Sequence, residues 1–249
     1  MKKGILFSMA ASVAIFAGGD IAPVTPAPMD NWSGFYVGIQ GGYLWGDPDI
    51  VISRDNDDPD HPDTYHRTHD VSDTDVDGFA GGIYAGYNWL LENDWLIGVE
   101  GEWNYVSADG TGDLIDRHSN DPGGKDGTGK TEQDWDASLR LKVGMVMGDY
   151  LPYITGGVAW AKMDMTAYDI DGNEFAHNDT TLTGWTIGAG IEMKISENLH
   201  ARIQYRYTDY GDDSVDMGSI PDTDNELHNY QADIDYNAHM VMIGLSYRF

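Results

Sequence analysis

Eight segments of this chain alternate apolar or aromatic residues with polar or very small ones at a period of two. No segment after residue 19 sustains a helical period. Period two is the spacing of a strand with two unlike faces. In the first segment Phe35, Val37, Ile39, Tyr43 and Trp45 alternate with Gly34, Gly38, Gln40 and Gly42. In the third, Trp95, Ile97, Val99, Trp103 and Tyr105 alternate with Gly98, Glu100, Glu102 and Asn104. The others are centred on 79–89, 135–145, 151–163, 185–193, 199–207 and 241–249, and only 151–163 has faces that are hard to tell apart. Each is long enough to cross a bilayer when tilted, which takes about 9–11 residues.

The connections alternate as well. Residues 46–77, 108–133, 166–179 and 211–237 make long links, whereas 91–94, 148–150 and 196–198 make tight turns. Short turns on one side and long loops on the other mark an outer-membrane barrel, with the short turns in the periplasm. The expected fold is therefore all-β: an eight-stranded antiparallel up-and-down transmembrane barrel over 33–249, with both termini periplasmic. A soluble sandwich or lipocalin-like barrel also alternates, but it turns its apolar face inward. Here the face opposite the apolar one carries glycine, glutamine and charge. Aromatics also gather at the segment ends. Trp45, Trp103, Trp135, Trp185 and Tyr205 belong to one rim, and Tyr87, Trp89, Trp95 and Tyr247 to the other. Two aromatic girdles around an aliphatic band suit a lipid-facing wall.

Residues 1–19 read as a secretory signal peptide. Lys2 and Lys3 precede a short apolar run, and Ala17-Gly18-Gly19 offers small residues for cleavage. The run is too short for a spanning helix, which needs about 20 apolar residues; an uncleaved interfacial anchor is the other reading. Residues 20–32, with Pro23, Pro26 and Pro28, form an extended linker. The chain has no cysteine, so disulfides and thiolate chemistry are excluded. A formal charge of −28 argues against a nucleic-acid partner.

Trp32-Ser33-Gly34-Phe35-Tyr36-Val37-Gly38, Gly184-Trp185-Thr186-Ile187-Gly188-Ala189-Gly190-Ile191-Glu192 and the closing Ile243-Gly244-Leu245-Ser246-Tyr247-Arg248-Phe249 carry a resemblance. In their order and spacing the chain resembles the small porin-family surface antigens with an OmpA-like eight-stranded barrel. The resemblance implies an outer-membrane surface antigen of Gram-negative bacteria that contributes to envelope integrity. It implies contact with lipid and lipopolysaccharide, and a terminal Phe249 read by the barrel assembly machinery. The chain departs from the usual member in its long, acidic loops. No peptidoglycan-binding domain follows Phe249, so wall anchoring is not implied.

The inward positions carry charge. Glu100 and Glu102 stand beside Arg140 and Lys142 on the next strand, and Glu192 stands beside Arg202 and Arg206. Same-face residues on adjacent strands are within contact reach, so charge-paired ladders are expected in the lumen. They act either as a selectivity ring in a water-filled pore or as an internal plug. Eight strands leave an interior just wide enough for side chains to fill it, which favours the plug. The glycine-rich inner faces of the first two strands leave room for water or a narrow path.

Most of the 42 carboxylates lie in the long links. Asp73-Thr74-Asp75-Val76-Asp77-Gly78 matches the start of an EF-hand loop, but Tyr84 stands where the bidentate glutamate belongs. His61, His66 and His69 lie among aspartates, a set that suits Zn²⁺ or Cu²⁺, yet their spacing fits no template. No cofactor and no enzyme activity are expected: there is no Gly-x-Ser-x-Gly elbow, and His177 and His228 have acids nearby only because acids abound. The readings carried forward are a structural surface barrel, a narrow channel for small solutes or cations, and an adhesin or metal or haem receptor acting through the loops toward a host or extracellular ligand.

Overall fold

A computed structural model of the chain describes residues 32–55, 65–72, 75–116, 125–169, 171–221 and 227–249. The expected signal segment and the linker up to residue 31 lie outside them. The strands are β1 (Gly34–Asp55), β2 (Tyr65–Ser72), β3 (Val76–Leu90), β4 (Trp95–Asp116), β5 (Lys125–Met145), β6 (Tyr150–Asp169), β7 (Glu174–Lys194), β8 (Leu199–Pro221) and β9 (Leu227–Arg248). β1 and β3 to β9 pair antiparallel in chain order, and β9 pairs back onto β1 through Val37↔Tyr247 and Ile39↔Leu245. That closes an eight-stranded barrel. The additional strand, β2, folds back along the far end of β1 and also pairs with the far end of β4.

The stretches expected as long loops are largely strand. β1 continues to Asp55, β4 to Asp116 and β8 to Pro221, so single strands reach 22 or 23 residues. Past the apolar band the outward face turns polar, while the inward face still buries small or mixed side chains such as Ala108, Thr131, Met165 and Ala167, so the contrast between apolar and polar positions fades. The main-chain donors and acceptors still need partners, and the ladder begun in the barrel supplies them. Sequence alternation ends before the strand does.

The opposite end is tight. Leu91 N donates to the Trp95 carbonyl at 2.6 Å around a single 3-10 turn, Glu92–Asp94. Asn93 and Asp94 take left-handed φ of 62° and 63°, a conformation to which their residue types are well suited. Gly148 supplies the positive φ of the next turn.

The outward face is apolar and exposed: Ile39, Ile83, Leu139, Leu141, Ile154, Ile187, Ile203 and Ile243 form its middle band. The inward face is buried and layered. At the turn end Trp32, Leu96, Leu151 and Tyr153 pack together, backed by Leu90 and Val146. At the far end Leu44, Val76, Ala80, Val106, Ala108, Met240 and Met242 form a second apolar cluster. The charged residues lie between the two.

The expected room beside the inner glycines is taken. A Cβ on Gly38 would stand 2.3 Å from the Tyr84 ring, and one on Gly86 2.4 Å from the Tyr36 hydroxyl. Those glycines seat tyrosines, not water. Others let the strands themselves approach: a Cβ on Gly42 would lie 1.9 Å from the Val241 carbonyl oxygen, and one on Gly82 2.0 Å from that of Trp103.

Candidate functional site

The middle layer of the lumen holds every fully buried charge of the described residues: Glu100, Glu102, Asp136 and Glu192, with Arg140, Lys142, Arg202, Arg206 and Arg248. Strand register brings some of them together. Glu100 is the direct partner of Arg140, and Glu192 of Arg202. Only the first of these pairs bonds. Arg140 Nη2 donates to Glu100 at 2.7 Å and to Glu102 at 2.5 Å. Arg202 turns away from Glu192 and crosses the lumen to Glu100, with Nη1 at 2.8 Å from Oε2, and to Gln40. Arg206 likewise crosses to Glu102 and Asp136.

Glu192 is engaged instead by Lys142 at 2.7 Å and by Arg248 at 3.2 Å. Lys142 bridges it to Glu100, 3.0 Å away. The expected ladders along neighbouring strands are therefore joined by transverse bonds into one network. Small barrel diameter explains this, because an arginine on one wall reaches a carboxylate on the other.

Several members were absent from the sequence-derived set. Tyr36 donates to Glu100 at 2.7 Å, Gln40 to Asn104 at 2.7 Å, and Asn104 to Asp136 at 2.7 Å. The Arg202 guanidinium lies 3.4 Å from the centre of the Tyr84 ring, and Lys142 Nζ lies 4.6 Å from that of Tyr153. Tyr36, Gln40, Tyr84, Asn104 and Asp136 have the same inward parity as Glu100 or Arg140, which is the signal that could have found them; Tyr153 lies on the segment whose two faces are hard to tell apart in sequence. Trp32 closes the turn end: its indole donates to the Gly148 carbonyl at 3.3 Å, its ring packs on His200, and Arg248 donates to its carbonyl.

Outside, the aromatic residues take two levels. Trp45, Trp103, Trp185 and Tyr205 are exposed at the end where strands run long, with Trp135 half-buried beside them. Trp45 stacks on His239 at 5.5 Å, and Tyr205 Oη lies 2.7 Å from its Nδ1. Tyr87, Trp89, Trp95 and Tyr247 are exposed at the turn end. Phe249 also stands there, its amide donating to Phe35 at 3.0 Å. His61 lies outside the described residues; His66 and His69 are on β2, with side chains that lie outside them too. Among the described residues no three carboxylates or imidazoles converge on a metal position.

Past the outer aromatic level, outward-facing acids stand opposite one another. Asp77↔Asp109, Asp109↔Glu132, Glu132↔Asp164, Asp164↔Asp179 and Asp49↔Asp235 are register pairs of like charge, an arrangement that destabilises a sheet. Lys162, 3.7 Å from both Asp134 and Asp164 and 3.8 Å from Asp179, offsets part of it. The consequence is upward pressure on acid pKa. The Asp47 carboxylate beside Asp75 raises the latter. Partial burial and Asp134 raise Asp164, and partial burial with Asp212, Asp209 and Asp49 raises Asp235. A raised acid pKa means that the folded state holds its proton more tightly than the unfolded chain. The repulsion is then fully present above the folded pKa and is relieved as pH falls through it. The thermal midpoint of the folded, heat-modifiable gel band is expected to rise as pH falls from neutral toward the ordinary carboxylate range of about pH 4. A flat or falling midpoint over that window would show that the belt contributes nothing.

A family model described as the outer membrane protein beta-barrel domain matches residues 6–249. The 31 kDa outer-membrane immunogenic protein of Brucella melitensis is 32% identical over 262 residues, covering 100% of both chains. The 25 kDa outer-membrane immunogenic protein of Brucella abortus is 28% identical over 229 residues, covering 92% of this chain and 84% of its own. Among solved structures, the outer membrane protease OmpT from Escherichia coli superposes with a TM-score of 0.53 at 13% identity, over 87% of this chain and 97% of that one. At that identity the likeness is one of fold.

Proposed function

Since the chain belongs to the outer-membrane β-barrel family and sits among lipid and lipopolysaccharide, we propose that it serves as a closed, structural surface barrel of the envelope. The observation that carries this reading is the layered lumen. A charge network whose carboxylates are all engaged lies between two apolar clusters. An ion crossing it would have to part several charge-assisted hydrogen bonds in a buried interior, each stronger than its neutral counterpart.

Further assignments belong to the same reading. Residues 1–19 are the export signal and 20–32 the linker that leads into the barrel. The short turns and both termini are periplasmic, and the long strand ends and their tips face outward, where they can meet a host or extracellular ligand. Phe249 and the alternating residues before it serve as the segment that the assembly machinery reads. The protein works without catalysis. Support comes from the buried carboxylates, which cations already occupy, leaving none poised as a free acid or base.

Planar-bilayer recording of the protein extracted from outer membranes tests the closed lumen. Folded protein is expected to give no stable steps. Steady unitary steps from a preparation that is folded by gel shift would overturn it in favour of the narrow channel.

A further inference from the structure

We infer that the lumen binds a small inorganic monoanion, of the size of chloride, on the unengaged side of Arg140. Two features of the buried layer lead there, and neither depends on whether the barrel conducts.

The first is charge. Among the described residues, the buried cations Arg140, Lys142, Arg202, Arg206 and Arg248 outnumber the buried carboxylates Glu100, Glu102, Asp136 and Glu192 by one. His200, the other buried basic side chain, adds no acid to the balance. An uncompensated charge between apolar layers is costly.

The second is hydrogen bonding. Both oxygens of all four carboxylates already accept: those of Glu100 from Arg140, Lys142, Arg202 and Tyr36, those of Glu102 from Arg140, Arg206, Gln40 and Asn104, those of Asp136 from Asn104 and Arg206, and those of Glu192 from Lys142 and Arg248. Most of the side-chain atoms left over among the described residues are N–H donors, Nε of Arg202, Arg206 and Arg248 among them; the hydroxyls of Ser138 and Thr155 can donate or accept. Arg140 engages only Nη2, leaving Nε and Nη1 without a partner. Ser138 Oγ, Thr155 Oγ1 and Gln204 Nε2 are also unpartnered.

Register places Ser138 and Thr155 beside Arg140 on the inward face, whereas Gln204 stands on β8 opposite Gly190 and Met242. Ser138 is two residues earlier on the same inward face of β5. Thr155, on β6, is the register partner of Lys142, one inward position from Arg140. On β6 the residue opposite Arg140 is Gly157, and on β7 the one opposite Thr155 is Gly188, so no side chain from either supplies an acceptor. Water could fill the donors, but it cannot offset the extra charge. A monoanion accepts from several donors and does both.

The test compares thermal midpoints of the folded protein, extracted from outer membranes, in sodium chloride, sodium bromide and sodium gluconate at equal ionic strength. A ligand that binds only the folded state stabilises it. The midpoint is expected to be higher in either halide than in gluconate, by about 2–4 °C, and bromide-soaked crystals should show anomalous density against Arg140. Arg140→Gln should erase the halide difference. If that variant does not fold, Ser138→Ala should shrink it, while Lys130→Gln, half-buried on the long end of β5, leaves it intact. Equal midpoints in all three salts, with no lumen bromide, would overturn the site and leave water as its occupant.

Discussion

Glu100→Ala is expected to lower the unfolding free energy of the barrel by about 3–5 kcal/mol, the scale for stripping one partner from a buried ion pair. Glu100 is the hub of the lumen, bonded by Arg140, Lys142, Arg202 and Tyr36. Its loss leaves three cations around a vacated position between apolar layers. They cannot turn to water without opening the barrel, and the remaining carboxylates are already engaged. Glu100→Gln should cost less, because the amide still offers an oxygen. Pairing Glu100→Ala with Arg202→Met should recover part of the loss, since one unpaired charge leaves with its partner. Urea titration in lipid vesicles, read by gel shift, measures all three. A Glu100→Ala barrel within about 0.5 kcal/mol of the parent would mean that the network fills space without holding the fold.

The second large effect separates neighbouring residues. Gly42→Val is expected to abolish the folded band, and Gly41→Val to leave it. Gly42 faces inward, where a Cβ would stand 1.9 Å from the Val241 carbonyl oxygen and 2.9 Å from the Met242 Cα. Those are main-chain atoms, and no rotamer relieves the overlap, so β1 and β9 would have to part at the seam that closes the barrel. Gly41 faces lipid, and its Cβ would have nothing nearer than the Ala80 carbonyl at 3.8 Å. Gly82→Val and Gly81→Val repeat the contrast, with nearest atoms at 2.0 and 3.7 Å. Folded yield after membrane insertion decides the matter; equal yields for Gly41→Val and Gly42→Val would rule out close strand approach as the role of the inner glycines.

Parity made most of this barrel legible. A lipid-facing strand must show apolar residues at every second position, so Ile39, Ile83 and Leu139 mark the wall directly, and the aromatic levels follow from where those runs end. The long strand ends were illegible for the same reason. Once the outward face turns polar, Asp47 and Asp49 no longer contrast with the inward positions beside them, although the ladder continues through them and those inward positions stay buried. The lumen was legible in content and not in connection. Glu100, Arg140 and Arg202 stand out as inward charges, but which pairs bond depends on closure. Arg202 is a neighbour of Glu192 along the sheet and a partner of Glu100 across it. Asp136 and Arg248 could have been added by parity alone. The role of Trp32 could not, because it precedes the first alternating run.

A strand of 22 residues spans roughly 70 Å at about 3.3 Å per residue, whereas the lipid band of such barrels is about 25 Å tall. In the orientation proposed above, the described strand ends meet the world as a tube of paired strands. An antibody that recognises this tube would read side chains from several strands at once, such as Asp77, Asp109 and Glu132 in register. Such a determinant exists only while the sheet is closed. Boiled antigen and short synthetic peptides would then lose the recognition that intact cells retain.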